Sequence, residues 1–457
     1  MKAGPRLIDR IAATIAHLFY RVDVVGTVPT GGPLLLLPNH PNALLDPALI
    51  MATAGRPVRF LAKSTLFAGP FRPLLAMADA IPVYRKQDGV GGSNDQTFAA
   101  VSVALQRGEA VCVFPEGISH SSGRLEPLRT GAARMALSAA AAGVQVYLVP
   151  IGINLERKTA FRSRATVAYG VSFPAVGNEL PITTIAPHDD GPDGLSGRAV
   201  KYLTQEIAVH MRALLVEADP VTDAELVARV NNLYASGRAA VADPEADLAR
   251  RKAIADAIHR LRAERPDWYE SAIVQLRRYD ERLRRFGLTE EALDWDSSGA
   301  AARRFIAREV PRAIFLVPVA VGAVAVFALP YALTALASRI TRDTDVTATA
   351  KVVAGAGIYS AWIAVLAAAA WSFAGPLAGA STLAGLPLFA IGGLFAAERE
   401  AAALKTVRSW LALRGTHRTT RAALRRRRAE LADVIDRVNV WITTEASGEA
   451  APGDHIR

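Results

Sequence analysis

The chain has 457 residues, enough for about two or three domains, and 51% of them are hydrophobic. Its mean hydropathy of +0.20 is too high for a purely soluble enzyme, so part of the chain is expected to meet lipid. The formal net charge of +10 suits a nucleic acid or an anionic membrane face. No nucleic-acid motif is visible and arginines lie beside apolar runs, so the membrane is favoured. The one cysteine, Cys112, excludes an intramolecular disulfide.

Residues 1–21 are predicted to contain an amphipathic helix. Apolar side chains recur there at helical spacing, at Leu7, Ile8, Ile11, Ile15, Leu18 and Phe19. This apolar stripe either lies on a membrane interface or packs on the following domain, and the sequence leaves both interpretations open. A cleavable signal peptide is not expected, because Arg10, His17 and Arg21 interrupt its apolar core.

Residues 22–190 alternate between short strand-like and longer helix-like segments. The strand-like segments include VDVVG, PLLLL, VRFLA, AIPVYR, EAVCVFPEG and VQVYLVPIGINL, and the helix-like ones include QTFAAVSVALQRG and GAARMALSAAAAG. This alternation indicates an α/β domain whose mostly parallel sheet is covered by helices.

The second half of the chain is predicted to be helical. Residues 191–310 are charged and form a helical extension without chemistry of its own. Residues 311–397 form a membrane-spanning region with two to three apolar segments: Ala313–Ala337 is long enough for one span and Val352–Ala397 for two. Gly375 and Pro376 mark a hairpin, unless they lie within a membrane helix.

A basic amphipathic tail at 398–445 and a disordered C-terminus at 446–457 complete the predicted organisation. By the positive-inside rule, both this tail and the arginines preceding the first apolar run face the cytoplasm. If these two basic segments lie on the same side of the membrane, the chain between them crosses it an even number of times. We therefore expect two crossings, with one apolar segment re-entrant or lying flat.

Four stretches at strand ends carry candidate functional residues, at 39–46, 81–88, 114–137 and 149–155. In the first of them, NHPNALLD, His40 leaves a strand and Asp46 follows it by six positions. An imidazole can accept a proton while a carboxylate fixes its other nitrogen, which suits deprotonation of an alcohol. The alternative is an ordinary turn formed by Pro38, Asn39 and Pro41.

The other stretches suggest an anion site. Glu116 and Gly117 follow an apolar strand, and the glycine lets the backbone turn sharply towards a ligand, although these two residues alone would also fit a surface turn. Arg85 ends a strand and Arg129 precedes a helix start, where backbone N–H groups favour anions. Together they are predicted to bind a phosphate. No metal site is expected, since neither Glu116 nor His120 is placed as a third ligand.

The four stretches resemble the four ordered motifs of the glycerolipid acyltransferase superfamily, the glycerol-3-phosphate and 1-acylglycerol-3-phosphate acyltransferases. FPEGISHSSGRLEPLRTGAARMAL and IPVYRKQD are especially similar to the branch of fungal-type glycerol-3-phosphate/dihydroxyacetone-phosphate acyltransferases and their bacterial relatives. The resemblance covers about residues 20–180. It implies an α/β acyltransferase domain followed by an α-helical extension and C-terminal transmembrane helices.

The resemblance also implies residue roles. His40 would be the general base and Asp46 its orienting partner, although five residues separate them here, as in the fungal-type branch, instead of the usual four. The third motif lacks the usual arginine after its glycine, and Arg129 would supply that charge. The implied substrate-binding residues are Asn39, Arg85, Glu116, Gly117, Ser119, Arg129 and Pro150, of which Pro150 would shape the acyl pocket.

The implied activity is acyl transfer from acyl-CoA or acyl-carrier protein to the hydroxyl of 1-acylglycerol 3-phosphate or glycerol 3-phosphate, in phospholipid biosynthesis. No cofactor is expected besides these co-substrates, and the expected partners are membrane lipids and no nucleic acid. The expected location is a bacterial inner membrane, with the catalytic domain cytoplasmic. The alternatives are a thioester or lysophospholipid hydrolase, which the absence of a G-x-S-x-G nucleophile disfavours, and a non-catalytic membrane scaffold.

Overall fold

The computed structural model describes residues 6–68, 72–84, 94–120, 122–175, 196–218, 222–236, 243–295, 299–338 and 344–447. The chain divides into two compact units. The first unit consists of Met1–Ala228, Ala242–Asp256 and Thr344–Thr349, and the second of Arg229–Val241, Ala257–Asp343 and Ala350–Arg457.

An eight-stranded sheet forms the centre of the first unit. Its strands run in the order β1-β7-β6-β2-β5-β3-β4, with β8 beside β6. Among the described strands, β6 pairs antiparallel with β7 and β8, and every other pair is parallel. The mostly parallel α/β domain predicted from the sequence is confirmed. The strands are β1 (Tyr20–Val25), β2 (Leu34–Pro38), β3 (Val58–Lys63), β4 (Ile81–Val83), β5 (Ala110–Cys112), β6 (Tyr147–Leu155), β7 (Ser163–Tyr169) and β8 (Phe173–Pro174).

Helices cover this sheet, and its central strands are buried on both faces. The four leucines of β2, Leu34 to Leu37, are at most 1% exposed. A parallel strand covered on both sides has no solvent face, which explains why its sequence is an uninterrupted apolar run. The helices in this part of the chain are α1 (Leu7–Phe19), α2 (Leu45–Thr53), α3 (Arg72–Met77), α4 (Asn94–Gln106), α5 (Gly131–Ala141) and α6 (Gly197–Arg212).

Three adjacent parallel strands bring distant segments to one edge of the sheet. In the register of the sheet, Leu36 of β2 pairs with Val149 of β6 on one side and with Cys112 of β5 on the other. Because the three strands run in the same direction, the residues that follow β2, β5 and β6 emerge at the same edge.

The amphipathic N-terminal helix packs on its own domain. Along α1, Ile8, Ala12, Ala16 and Phe19 are buried. Of the predicted stripe, Ile8 and Phe19 are buried, whereas Leu7 is 65% and Ile11 37% exposed, so packing on the domain accounts for part of the stripe.

The second half of the chain is helical. The helices are α7 (Thr222–Ser236), α8 (Pro244–Glu264), α9 (Pro266–Arg285), α10 (Gly299–Ser338), α11 (Thr344–Ala374), α12 (Pro376–Gly415) and α13 (Arg418–Ser447). A short 3-10 turn, Glu291–Asp294, precedes α10. The helix α12 continues from the second apolar run into the basic tail without a break.

Three of these helices are long and apolar enough to cross a membrane, at Arg303–Ala337, Lys351–Ala374 and Pro376–Gly415. Many of their large apolar side chains are exposed: Phe315 is 75%, Phe373 92% and Leu377 80% exposed. Apolar surface of this extent on a soluble protein would favour aggregation, whereas lipid covers it without cost. These helices therefore indicate association with a membrane.

Part of the basic tail is engaged within the second unit. On α13, Arg421 and Arg425 each donate from Nε to the carbonyl oxygen of Leu293 at 2.8 Å, and Arg428 donates to Asp294 at 2.9 Å. These arginines cap the 3-10 turn at 291–294, so their charges are not all directed towards lipid.

Candidate active site

A histidine–carboxylate pair lies at the end of β2. His40 follows the strand by two residues, and Asp46 lies in the first turn of α2. The His40 Nδ1 and Asp46 Oδ2 atoms are 2.8 Å apart, and Asp46 Oδ2 also accepts the Asn42 N–H at 2.6 Å. The Asp46 side chain is fully buried, whereas that of His40 is 18% exposed. The two predicted residues are therefore brought together despite the five residues between them.

An unusual backbone conformation accommodates this longer spacing. Ala43, between the pair, has a φ of 42° in the left-handed region that non-glycine residues rarely adopt. Its N–H donates to Ser119 Oγ at 2.9 Å, which ties this turn to the segment after β5. Strained residues of this kind persist where the surroundings hold them, often at active sites. Ser119, predicted to bind substrate, thus holds the turn through a backbone contact.

Asp46 fixes the tautomer of His40. Burial raises the pKa of the Asp46 carboxyl overall, against the hydrogen bond and charge of His40, the Asn42 N–H and the charge of Lys158, which favour the ionised form. An ionised Asp46 only accepts hydrogen bonds, so Nδ1 of His40 carries the proton and Nε2 keeps its lone pair. Within the described residues, Asp46 Oδ1 has no hydrogen-bond partner. The arrangement makes His40 Nε2 a proton acceptor.

The segment after β5 lies directly against His40. The Phe114 ring stacks on the imidazole, with 3.9 Å between centroids and 21° between planes. Glu116, 1% exposed, accepts the N–H of His40 at 2.7 Å and that of Glu126 at 3.0 Å, and its carboxylate also bonds His120 Nε2. Protein groups thus bond both of its oxygens.

Gly117 and Arg129 are neighbours. Gly117 has a φ of 74°, and a Cβ at this position would lie 3.2 Å from Arg129 Cγ. The Arg129 N–H donates to the carbonyl oxygen of Pro115 at 2.7 Å, two residues before α5 begins. The Arg129 side chain is exposed. The Arg129 side chain therefore lies against the turn that lacks the usual arginine of the third motif.

The other predicted site residues have structural contacts. Both polar atoms of the Asn39 side chain bond the backbone of Ile153, at 3.1 and 2.7 Å, which joins β2 to β6. Pro150 is buried in β6 and its carbonyl oxygen accepts the Gly170 N–H at 2.9 Å. Neither contact tests substrate binding. Arg85 lies outside the described residues.

Lys158, Asn42 and Tyr20 form part of the same neighbourhood and were missed by the sequence reasoning. Asn42 Nδ2 donates to the Tyr20 hydroxyl at 2.5 Å and to the Lys158 carbonyl oxygen at 3.2 Å. Lys158 Nζ donates to the carbonyl oxygen of His120 at 3.3 Å. Asn42 lies inside the first motif, so its position beside the pair could have been predicted from the sequence. Lys158 is distant in sequence and lies near the site only because β6 pairs with β2.

Two other chemistries receive no support from the site. Burial raises the pKa of the Cys112 thiol, so a thiolate nucleophile is disfavoured. In the part of the chain that the structure describes, no group of three His, Cys, Asp or Glu side chains is placed to hold a metal ion.

Comparisons with known proteins agree with this geometry. The Acyltransferase family profile matches residues 21–154. Glycerol-3-phosphate O-acyltransferase 2 of Saccharomyces cerevisiae is 42% identical over 79 residues, which are 17% of this chain and 11% of the yeast protein. The lyso-ornithine lipid O-acyltransferase of Rhizobium meliloti is 33% identical over 156 residues, which are 33% of this chain and 50% of that protein.

The crystal structure of the 1-acyl-sn-glycerophosphate (LPA) acyltransferase PlsC from Thermotoga maritima aligns with a TM-score of 0.31 and 17% identity, over 45% of this chain and 77% of that chain. The chain spans half or less of the two curated relatives described above. The matched segment nevertheless contains β2, β5 and β6 together with His40, Asp46 and Glu116. Over this segment the chain matches the Acyltransferase family and is similar to O-acyltransferases of glycerol 3-phosphate and of lyso-ornithine lipid.

Proposed function

We propose that this protein is a membrane-bound O-acyltransferase that moves a fatty acyl group from an acyl thioester to the hydroxyl of a phosphorylated glycerol acceptor. The hydrogen bond between His40 Nδ1 and the buried Asp46 is the observation that carries the proposal. It leaves Nε2 to act as a general base on the acceptor hydroxyl.

The reaction proceeds without a covalent acyl-enzyme. His40 Nε2 takes the hydroxyl proton as the acceptor oxygen attacks the thioester carbonyl carbon, and Asp46 stabilises the imidazolium. The tetrahedral oxyanion then collapses, the C–S bond breaks, and the thiolate leaves and takes the proton back from His40. No serine or cysteine nucleophile is required in this sequence of steps.

The apolar helices support a membrane setting for this reaction. Lysolipid acceptors and acylated products partition into a bilayer, so an enzyme held there meets them by diffusion in two dimensions. The three candidate spans provide the apolar length needed to hold the chain there. We propose a cytoplasmic catalytic domain, because arginines precede the first span on the side of the catalytic domain.

The exposed side chain of Arg129 supports a phosphorylated acceptor. Arg129 lies against the turn at Gly117, immediately before the N-terminus of α5. A guanidinium beside free backbone N–H groups favours a phosphate. The name of the yeast relative, glycerol-3-phosphate O-acyltransferase, agrees with such an acceptor, whereas the lyso-ornithine lipid relative makes a lysolipid without phosphate the competing class to test.

The function is tested with purified protein in nanodiscs. Acyl-CoA or acyl-carrier protein is supplied as labelled donor, against glycerol 3-phosphate, 1-acylglycerol 3-phosphate and lyso-ornithine lipid as acceptors. We expect thiol release that depends on a phosphorylated acceptor. Release that no acceptor stimulates would indicate a hydrolase, and no release from any donor would refute the enzyme assignment.

Replacing Arg129 with alanine should weaken acceptor binding. A lost charge-assisted hydrogen bond contributes about 1.5–3 kcal/mol, so we expect the KM of the acceptor to rise about tenfold to a hundredfold while the KM of the donor changes little. The matched control is Arg107→Ala, because Arg107 is an exposed arginine that precedes β5 at the opposite edge of the sheet. An equal rise in both KM values would contradict the role of Arg129.

Replacing Lys158 with methionine should move the acid limb of the pH profile. The Lys158 ammonium lowers the pKa of Asp46 against the effect of burial, so its removal raises that pKa further. Because Asp46 must be ionised to orient His40, we expect the acid limb of log kcat/KM to shift to higher pH. Lys158→Arg should keep the wild-type limb, and Lys201→Met, at an exposed lysine of α6, serves as control. An unshifted limb in Lys158→Met would show that the charge does not act on Asp46.

A further inference from the structure

We propose that Glu116 and His120 form a positioning pair that fixes the main chain of His40, and that neither side chain binds substrate. This inference rests on the proposed function, since it concerns how the general base is held. It differs from the acceptor-binding role that the resemblance implies for Glu116.

Glu116 is occupied by protein donors. Its Oε1 atom accepts the His40 N–H at 2.7 Å, and its Oε2 atom accepts the Glu126 N–H at 3.0 Å and bonds His120 Nε2. The side chain of Glu116 is 0% exposed. A substrate hydroxyl would have to displace one of these buried, charge-assisted bonds, which is costly.

Glu116 and His120 bond the main chain of His40 at both its N–H and its carbonyl oxygen. Glu116 takes the N–H of His40, and the N–H of His120 donates to the carbonyl oxygen of His40 at 3.2 Å. Phe114 fixes the imidazole plane by stacking, and Asp46 fixes its rotation by bonding Nδ1. The two main-chain hydrogen bonds of His40 supply the remaining constraint on where its Nε2 atom lies.

The surroundings of His120 favour an imidazolium. The hydroxyl of Ser122 donates to the carbonyl oxygen of Arg124 at 3.1 Å, so its oxygen can accept from His120 Nδ1 at 2.9 Å. Nε2 meets the Glu116 carboxylate, which only accepts hydrogen bonds. Nδ1 lies near both the Ser122 hydroxyl and the Ser122 N–H, which donates to it at 3.4 Å, so Glu116 and not Ser122 favours the charged ring. Burial and the charge of Lys158 lower the pKa of His120. The hydrogen bond and charge of Glu116, together with the charge of Glu126, have the larger effect, so the pKa is raised overall. A charge-assisted hydrogen bond between Glu116 and His120 is stronger than a neutral one, so it holds the main chain of His40 more firmly.

The activity test is a double-mutant cycle on Glu116→Gln and His120→Gln. If the pair positions His40, each single variant loses about tenfold to a hundredfold in kcat, both KM values stay near those of wild type, and the double variant loses no more than the worse single one. A selective rise in acceptor KM for Glu116→Gln, or losses that multiply, would overturn the proposal. The matched control is His210→Gln, because His210 and Glu206 are also an i,i+4 pair, 42% and 40% exposed on α6, and glutamine keeps a planar group against Phe173. This control should affect neither constant.

Hydrogen exchange provides a readout that does not need turnover. In Glu116→Gln and His120→Ala, we expect faster amide exchange in the peptide that contains His40, with wild-type exchange elsewhere in the sheet and throughout the control His210→Gln. Unchanged exchange at His40 would overturn the positioning role even where activity falls. If the wild-type protein transfers no acyl group, the proposed function fails and exchange alone decides this inference.

Discussion

The His40→Ala variant is expected to lose about a thousandfold in kcat for acyl transfer, because general-base catalysis by a positioned side chain contributes about 10²- to 10⁴-fold. Nε2 of His40 is the proton acceptor that the bond to Asp46 prepares, and no other imidazole contacts that carboxylate among the described residues. Thiol release in the presence of acceptor measures the loss. KM should change little, since the ring acts on the proton and not on the phosphate.

Asp46→Asn provides the companion measurement, because asparagine removes the charge and keeps the shape of the side chain. An amide oxygen at the Oδ2 position can still accept from His40 and Asn42, and the amide nitrogen replaces Oδ1, which has no partner among the described residues. The buried NH2 group at the Oδ1 position finds no acceptor there, so we expect the free energy of unfolding to fall by about 1–3 kcal/mol. We also expect a fall in kcat of about a hundredfold or more, because the imidazolium loses its counter-charge. Wild-type kcat in both variants would refute the base assignment.

The sequence predicted the pair but not how its spacing is accommodated. His40 and Asp46 stand at a strand end and a helix start, so their residue types and positions suggested proton transfer. The left-handed Ala43 that closes the five-residue gap depends on Ser119, 76 residues away, and nothing local in NHPNALLD signals it. Glu116 was placed near the substrate by resemblance, whereas its three protein donors become visible only when the segments after β2 and β5 are brought together.

Long-range pairing also explains the missed elements. Lys158 follows β6 and lies beside the site because β6 pairs in parallel with β2. The strand β7 was not predicted, since its sequence SRATVAY follows a charged turn and contains small and polar residues. It is a central strand because β1 and β6 cover its two edges. Charge and periodicity along the chain contain no information about such partners.

The apolar runs were predicted from length alone, and three helices of sufficient length are present. The expectation of two crossings stays a prediction, because helix length does not give topology. What the structure adds is the packing between two of these helices. On α12, Gly393 lies against α10, where a Cβ would meet that of Ala323 at 2.0 Å. Small residues at such contacts let helix backbones approach closely in a membrane.

Gly393→Ala is therefore expected to destabilise the second unit by about 1–3 kcal/mol, because a methyl group at that distance forces α10 and α12 apart. Its neighbour offers a control of the same chemistry, since a Cβ on Gly392 meets nothing within 4 Å. In an open helical position, alanine is favoured over glycine by about 0.5–1 kcal/mol, so Gly392→Ala should be neutral or stabilising.

The two substitutions are expected to change the free energy of unfolding in opposite directions, although the residues are adjacent. The comparison therefore separates packing from helix propensity. Thermal unfolding in nanodiscs measures both variants, and disulfide cross-linking of cysteines introduced on α10 and α12 reports their separation. A glycine effect due to helix propensity alone would stabilise both variants, whereas packing at Ala323 destabilises only Gly393→Ala. If the two variants unfold alike, α10 and α12 do not pack through this contact in the bilayer.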